Sequence, residues 1–251
     1  MRNSLKLALA AGAFASVAPA SVFAQQAPVA RELTVPGNPI LADGDYYSTD
    51  PAPFVADGQL WILAGRDEAA SDVNDFIMPE WQLLKTADPA SGKWTHYPAI
   101  LKPENVFAWA EPARAYAGQI IQGPDKRYYL YAPVLEKNSD AKDRFAIGVA
   151  VADSPLGPWR DAHPSGPIIS QKVPVANDIQ NIDPTTMIDD DGRVYIYWGT
   201  FGQMRGMELA RDMITPKGPE LEMKGLTGFF EAPWIMKRKG TYYMLLSLIH
   251  I

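Results

Sequence analysis

Four carboxylate residues occupy a similar local setting, at or beside a proline and ahead of an apolar stretch: Asp50, Glu111, Asp183 and Glu231. Three of them precede the glycine of a following turn by eight or nine residues. Carboxylates that converge in a fold repel one another and raise one another's pKa, which is typical of functional sites. A protonated and an ionised carboxyl together perform acid–base chemistry such as glycoside hydrolysis. Convergence depends on the elements that carry these residues.

The acids belong to a repeated unit. In each copy the acid is followed by a short apolar run, then a turn, then a strand-like stretch rich in large residues. Asp-Gly between two such stretches is a strong signal for a β-hairpin. The second strand of each hairpin is predicted at 59–64, 127–132, 194–198 and 241–246.

A second pattern supports the repeat. The strands predicted at 81–85 and 145–151 are each followed by an aspartate, with a glycine four residues and a tryptophan six residues later. Repeats of this length made of short strands, turns and aromatic residues are typical of β-propeller blades. Residues 25–251 show no sustained helical apolar period, so an all-β fold is predicted. A β-sandwich is the alternative, but its strands need not repeat with the same turn residues at the same spacing.

A propeller would bring the acids together. The first strand of each blade lies nearest the axis, so equivalent positions on successive blades face one central funnel. We therefore predict that Asp50, Asp183 and Glu231 converge, although they lie far apart in the chain.

The N-terminus is predicted to be a secretory signal peptide. Residues 1–24 combine basic Arg2 and Lys6 with an Ala-rich apolar run and small residues before a cleavage point after Ala24. The apolar run is too short to span a bilayer. We expect export to the periplasm or the extracellular medium, with residues 25–251 forming the catalytic domain.

The composition narrows the possible partners. Loss of the two basic residues in 1–24 changes the net charge from −6 to −8, and the chain has no basic run. Nucleic acid and anionic membrane are therefore disfavoured, and no protein partner is evident. The chain has no cysteine, which excludes disulfides and thiolate chemistry. Seven Trp and 11 Tyr suit an all-β core and a sugar-binding surface.

Three motifs resemble those of the family 43 glycoside hydrolases. They are Thr-Asp-Pro-Ala-Pro at 49–53, Ile-Asp-Pro-Thr at 182–185 with Asp-Asp-Gly at 190–192, and Phe-Glu-Ala-Pro at 230–233. The resemblance runs from about 38 to 247 and implies a five-bladed β-propeller that inverts anomeric configuration. Five blades at this repeat length need several dozen more residues. We expect about three and a half blades in 25–251, with the fifth missing.

The resemblance also implies roles for individual residues. Asp50 corresponds to the general base, Asp183 to the residue that modulates the pKa of the acid and orients it, and Glu231 to the general acid. Trp109 is predicted to contact sugar, with core packing as an equally weighted alternative. Glu111 is predicted to contact the substrate without acting as a catalyst.

The implied activity is hydrolysis of α-L-arabinofuranosyl or β-D-xylosyl linkages in an oligo- or polysaccharide of the plant cell wall. No cofactor is required and no metal ligand is assigned; a structural calcium on the propeller axis is possible but cannot be located in this sequence. The acidic turn at 189–191 lacks the EF-hand pattern and is predicted to be structural. A non-catalytic carbohydrate-binding propeller and an endo-acting arabinanase remain alternatives.

Overall fold

The computed structural model describes residues 28–248 apart from 43, 45 and 71, and the predicted signal peptide lies outside the described residues. Within this part the chain is almost entirely β-structure, with one four-residue helix, α1 (Pro103–Val106), and one 3₁₀ turn (Pro89–Ser91). No helix among the described residues is long and apolar enough to cross a membrane.

The first sheet has five antiparallel strands in the order β1-β5-β4-β3-β2. Their bounds are β1 (Arg31–Thr34), β2 (Tyr47–Ala56), β3 (Gln59–Asp67), β4 (Trp81–Thr86) and β5 (Lys93–Leu101). Four of the strands follow one another in sequence as an up-and-down meander, and β1 adds an outer edge.

Three further sheets follow in chain order. The second is a meander of β6 (Gln119–Gln122), β7 (Tyr128–Leu135), β8 (Phe145–Ala152) and β9 (Arg160–Asp161). The third contains β10 (Thr185–Ile188), β11 (Val194–Trp198), β12 (Arg205–Leu209) and β13 (Pro216–Glu222). The fourth is the hairpin of β14 (Phe229–Arg238) and β15 (Thr241–Leu248). Three complete meanders and one hairpin confirm the prediction of an all-β propeller with about three and a half blades.

Local turn chemistry explains the hairpins. The turns between β2 and β3 and between β14 and β15 each have two residues with positive φ: Asp57 (50°), Gly58 (70°), Lys239 (50°) and Gly240 (77°). Two successive residues with positive φ are characteristic of the type I′ turn, whose twist matches that of paired strands. Glycine adopts positive φ readily, so the glycines in the sequence indicate these hairpins.

The inner strands surround a common axis. Strand β2 lies against β6, β6 against β10, and β10 against β14. Side chains reinforce these neighbours: Gln119 Oε1 accepts a hydrogen bond from Thr186 N, and Thr185 Oγ1 accepts one from Ile235 N at 3.2 Å. The residues that begin each inner strand are therefore held in fixed relative positions.

Blade two has apolar cover on both faces. Along β7, Tyr128 and Leu130 belong to the core shared with blade one, whereas Tyr129 and Tyr131 belong to the core shared with blade three. Alternate residues of a strand point to opposite faces, and because both faces are covered, β7 is buried except at its last residue. In β15, by contrast, Leu245 is 54% exposed.

Candidate active site

A cavity of about 560 Å³ opens where the inner strands begin. All four sheets or the segments leading into them contribute to its wall, which is largely apolar and includes Pro51, Pro184 and Pro233. Asp50 and Asp183 are the two acidic residues that line it. The cavity therefore offers two carboxylates to a ligand in a mostly apolar setting.

Three blades make the same strained backbone bend at this cavity. Asp50, Asp183 and Ala232 each precede a proline and have φ values of 51°, 55° and 52°. Positive φ is uncommon for residues other than glycine, although aspartate tolerates it better than most. Strain of this kind persists where the surrounding structure enforces it and clusters at functional sites.

The bend in blade four falls on Ala232 and not on Glu231. The prediction that the three acids occupy equivalent positions is therefore wrong by one residue for Glu231. The pairing of β14 with β15 shifts register on both sides of Glu231, so a bulge accommodates the displacement. Glu231 is half-buried, and its Oε2 accepts a hydrogen bond from Thr200 Oγ1 at 3.4 Å. Its carboxylate thus lies beside the cavity wall formed by Asp50 and Asp183.

The three acids nevertheless interact. Burial, together with the negative charges of Asp50 and Glu231, raises the pKa of Asp183 to about 7. A hydrogen bond from Ala232 N to Asp183 Oδ2, 3.0 Å long, opposes this shift. The predicted convergence is therefore present electrostatically, and the cluster retains a proton close to neutral pH.

Asp50 has a milder shift. Its side chain is open to the cavity, but the surrounding protein still removes part of its hydration and raises its pKa. A hydrogen bond from the Thr49 side chain opposes the shift. Asp50 and Asp183 stand at equivalent positions of two blades, yet the more enclosed Asp183 binds its proton more tightly.

Trp109 does not line the cavity. Its ring packs against Phe107 with the centroids 5.2 Å apart, and its Nε1 donates a hydrogen bond to Asp161 Oδ2 at 3.2 Å. The side chain is half-buried against the core between blades one and two. The structure thus places Trp109 in the packing arrangement that was its alternative.

Glu111 also lies outside the cavity lining. Its carboxylate forms an ion pair with Arg144, and its backbone N–H donates to Leu135 O at 2.8 Å. In blade two the cavity wall is formed instead by Ala117 and Gly118, immediately before β6. Blade two therefore contributes small residues to the cavity and no acid.

The acidic turn of blade three has a structural role. Lys237 Nζ on β14 lies 2.6 Å from Asp189 Oδ1 and 2.8 Å from Asp190 Oδ2. Tyr242 OH on β15 donates to Asp189 Oδ2 at 2.5 Å. These bonds tie blade three to blade four. Among the described residues, neither this turn nor any other group of three His, Cys, Asp or Glu side chains is arranged to hold a metal ion.

Sequence reasoning missed two residues of the site. Trp234 lines the cavity and follows Glu231 by three residues on the same inner strand, so its position in the motif was an available signal. Thr200 reaches Glu231 from another blade. No local pattern predicts that contact, because it arises from the packing of blade three against blade four.

Comparison with known proteins agrees with this architecture. The sequence profile described as glycosyl hydrolases family 43 matches residues 69–250, which is more than half of the chain. The chain belongs to this family. The matched region includes Asp183 and Glu231, whereas Asp50 lies before it.

Individual family members show the extent of the similarity. A xylosidase/arabinosidase of Bacteroides ovatus is 30% identical over 82% of the chain, which spans 72% of that protein. A β-D-galactofuranosidase of Aspergillus niger and a xylosidase/arabinosidase of Humicola insolens are 30% and 31% identical, and the chain spans 59% and 43% of their lengths. The chain thus corresponds to a part of each relative, and that part varies widely.

Solved structures extend the comparison to the fold. An α-L-arabinofuranosidase from Clostridium thermocellum aligns with a TM-score of 0.65 and 31% identity, covering 80% of the chain and 63% of that structure. A β-xylosidase/α-arabinofuranosidase from a compost metagenome, solved with xylotriose, aligns with a TM-score of 0.65 and 27% identity, covering 86% and 73%. Both alignments match most of the chain to the fold of family 43 enzymes.

Proposed function

We propose that this family 43 glycoside hydrolase cleaves α-L-arabinofuranosyl or β-D-xylosyl linkages of plant cell-wall polysaccharides with inversion of configuration. The observation that carries the proposal is that Asp50 and Asp183 line one cavity, while Asp183 accepts a hydrogen bond from the backbone next to Glu231. Inverting hydrolysis uses two carboxyl groups on opposite sides of the scissile bond, with room for a water between them. The cavity beside these acids provides that space.

In the proposed reaction Asp50 is the base and Glu231 the acid. Asp50 removes a proton from a water molecule as the water oxygen bonds to the anomeric carbon. The bond from that carbon to the leaving oxygen breaks, and Glu231 transfers its proton to this oxygen. Asp50 ends protonated and Glu231 ionised, and proton exchange with solvent restores the starting state.

Asp183 supports the acid in two ways. When ionised, it places a negative charge beside the proposed acid, and burial together with the charges of Asp50 and Glu231 raises its own pKa to about 7. Its Oδ2 accepts the hydrogen bond from Ala232 N, so it also fixes the backbone next to Glu231. Because of the bulge in β14, Glu231 stands one residue before the backbone bend of its blade, whereas Asp50 stands at the bend of its own.

This arrangement favours catalysis over binding alone. A protein that only binds sugar benefits from fully ionised carboxylates, which are strong hydrogen-bond acceptors. A pKa of about 7 for Asp183 means that the cluster carries less charge than three independent carboxylates would. A reaction that needs protonated and ionised carboxyls side by side is served by such a cluster, whereas a binding site gains nothing from it.

The pentose specificity rests on relatives. The Bacteroides ovatus relative is named a xylosidase/arabinosidase, and the metagenomic enzyme was solved with xylotriose. A Bacillus subtilis relative at 26% identity is named an endo-α-(1→5)-L-arabinanase, so endo action occurs among similar proteins. We propose a pentose-containing substrate and leave the mode of attack to experiment.

Leaving-group dependence tests the assignment. Glu231→Ala is expected to lose activity on natural glycosides but to keep part of it on aryl glycosides, whose leaving groups need little protonation. Asp50→Ala should lose activity on both substrates. Glu222→Ala, with a 61% exposed side chain on β13, serves as the control. Kinetics on para-nitrophenyl arabinofuranoside and xyloside, with product anomers followed by NMR, provide the measurement. Equal and mild losses in Glu231→Ala and Asp50→Ala would refute the assigned roles.

We also propose that the protein is exported by the sequence at 1–24, which carries the basic start, apolar run and small residues of a signal peptide. N-terminal sequencing of the protein recovered outside the cytoplasm should begin at Gln25. Recovery of uncleaved protein starting at Met1 would contradict this proposal.

A further inference from the structure

The loop at 199–203 holds a large apolar side chain in the open beside the proposed acid. Phe201 is 64% exposed, and its φ is 51°. Positive φ in a bulky residue is a genuine outlier that needs support from its surroundings. Glycine would adopt this conformation without strain, so the presence of phenylalanine here calls for a physical reason.

The surroundings fix this loop from several directions. Gly199 N donates to Ile182 O at 2.9 Å, and Gly202 N donates to Phe230 O at 3.2 Å. The loop is thereby attached to the residue before Asp183 and to the residue before Glu231. Within the loop, Gln203 N donates to Thr200 O at 3.0 Å. The strained conformation of Phe201 is therefore held by both acid-bearing segments.

The orientation of the ring is also supported. Phe201 packs edge-on against Phe230, with the centroids 5.4 Å apart and the planes at 75°. The preceding residue, Thr200, is buried and donates to Glu231 Oε2 at 3.4 Å. A fixed aromatic ring thus stands one residue away from a direct contact with the proposed acid.

We infer that Phe201 is a stacking platform for the sugar unit on the leaving-group side of the substrate. The inference rests on the proposed function, in which Glu231 protonates the leaving oxygen. The sugar that carries this oxygen must then lie beside Glu231, where the loop presents Phe201. Sugar rings have an apolar face of C–H groups, and a rigid aromatic ring binds such a face with little loss of conformational entropy.

The test compares substrates with and without a leaving sugar. The disaccharides are β-1,4-xylobiose and α-1,5-arabinobiose, and the matched substrates are the glycosyl fluorides of the same sugars, whose leaving group is fluoride. Phe201→Ala is expected to lower kcat/KM about tenfold on the disaccharide that the wild type cleaves, which corresponds to the energy of a good aromatic contact. It should change kcat/KM on the fluoride less than twofold. Phe201→Tyr should restore the wild-type ratio of the two values.

Two further variants separate binding from stability. Phe76→Ala removes a phenylalanine of similar exposure, 65%, on a loop of blade one and should leave the ratio of the two kcat/KM values unchanged. Phe201→Gly relieves the positive φ, so its urea midpoint should match or exceed that of the wild type while the ratio falls as in Phe201→Ala. The inference would be overturned if the ratio of kcat/KM on the disaccharide to kcat/KM on the fluoride stayed at the wild-type value in Phe201→Gly. It would also be overturned if this ratio fell as much in Phe76→Ala as in Phe201→Ala.

The role of Phe201 can be tested even if the proposed function is wrong. A wild-type protein that cleaves neither the fluorides nor the disaccharides would refute the proposed function. Titration with xylotriose, followed by tryptophan fluorescence, then tests Phe201 separately. About tenfold weaker binding in Phe201→Ala supports the platform, and equal affinities refute it. Equal losses on fluoride and disaccharide would likewise show that Phe201 acts only on the structure of the site.

Discussion

Replacement of Asp183 by asparagine should separate the stability of this fold from its activity. Asparagine has the shape of a protonated aspartate and can still accept the hydrogen bond from Ala232 N, but it never ionises. In the wild type, burial and the charges of Asp50 and Glu231 raise the pKa of Asp183 from 3.8 to about 7. The folded state therefore binds the Asp183 proton more tightly than the unfolded state does.

The sign and size of the effect follow from this difference. Stability contributed by the tightly held proton is fully present below pH 3.8 and is lost as pH rises through about 7. The shift covers about three pH units at about 1.4 kcal/mol each, so the loss for Asp183 is at most about 4 kcal/mol. Asp183→Asn should therefore match the wild type near pH 4 and be more stable by up to about 4 kcal/mol at pH 8.

Urea unfolding followed by tryptophan fluorescence at pH 4 and pH 8 measures this difference. Asp178→Asn changes a 93% exposed side chain and should show the same small effect at both pH values. At pH 8 the Asp183→Asn variant should also lose glycosidase activity, because the charge that modulates the acid is gone. A stability difference between Asp183→Asn and the wild type that is independent of pH would refute the raised pKa and with it the proton-retaining cluster.

Two other changes test how the site is held. Gly199→Ala should destabilise the protein by more than 2 kcal/mol and reduce activity, because φ is 131° and a Cβ there would meet Gln203 O at 2.1 Å. Gly218→Ala, where a Cβ meets nothing within 4 Å, is the matched control, and equal urea midpoints for the two would contradict this account. Lys237→Met removes the cation shared by Asp189 and Asp190 and should lower the urea midpoint more in low salt than in 1 M NaCl. Lys239→Met, in the adjacent turn, should not lower it. A midpoint unchanged by Lys237→Met would show that these bonds do not join the blades.

Much of the fold could be predicted because its signals are local. Asp57-Gly58 and Lys239-Gly240 specify tight hairpin turns through the backbone freedom of glycine, and alternating large residues specify strands that are buried on one or both faces. The predicted strand at 194–198 agrees with β11 in both bounds. The predicted strand at 59–64 ended three residues too early, since strand ends depend on pairing partners elsewhere in the chain.

The membership of the candidate site was less predictable. Asp50 and Asp183 line the cavity, but the equivalence of Glu231 with them was wrong by one residue, because a bulge in β14 moves the bend to Ala232. Trp109 and Glu111 have residue types suited to sugar binding, yet each is engaged by a partner distant in sequence. A list of chemically able residues does not show which of them have free access to a ligand.

The sequence by itself determined the blades, the hairpins and the recurring acids, because turns and strand periodicity are properties of neighbouring residues. Only the tertiary structure decided that Asp183 is the acid with the most strongly raised pKa, that Thr200 reaches Glu231, and that Phe201 stands exposed beside it. The physical reason is that hydration, charge coupling and access depend on what surrounds a side chain in space. In this protein those surroundings come from other blades.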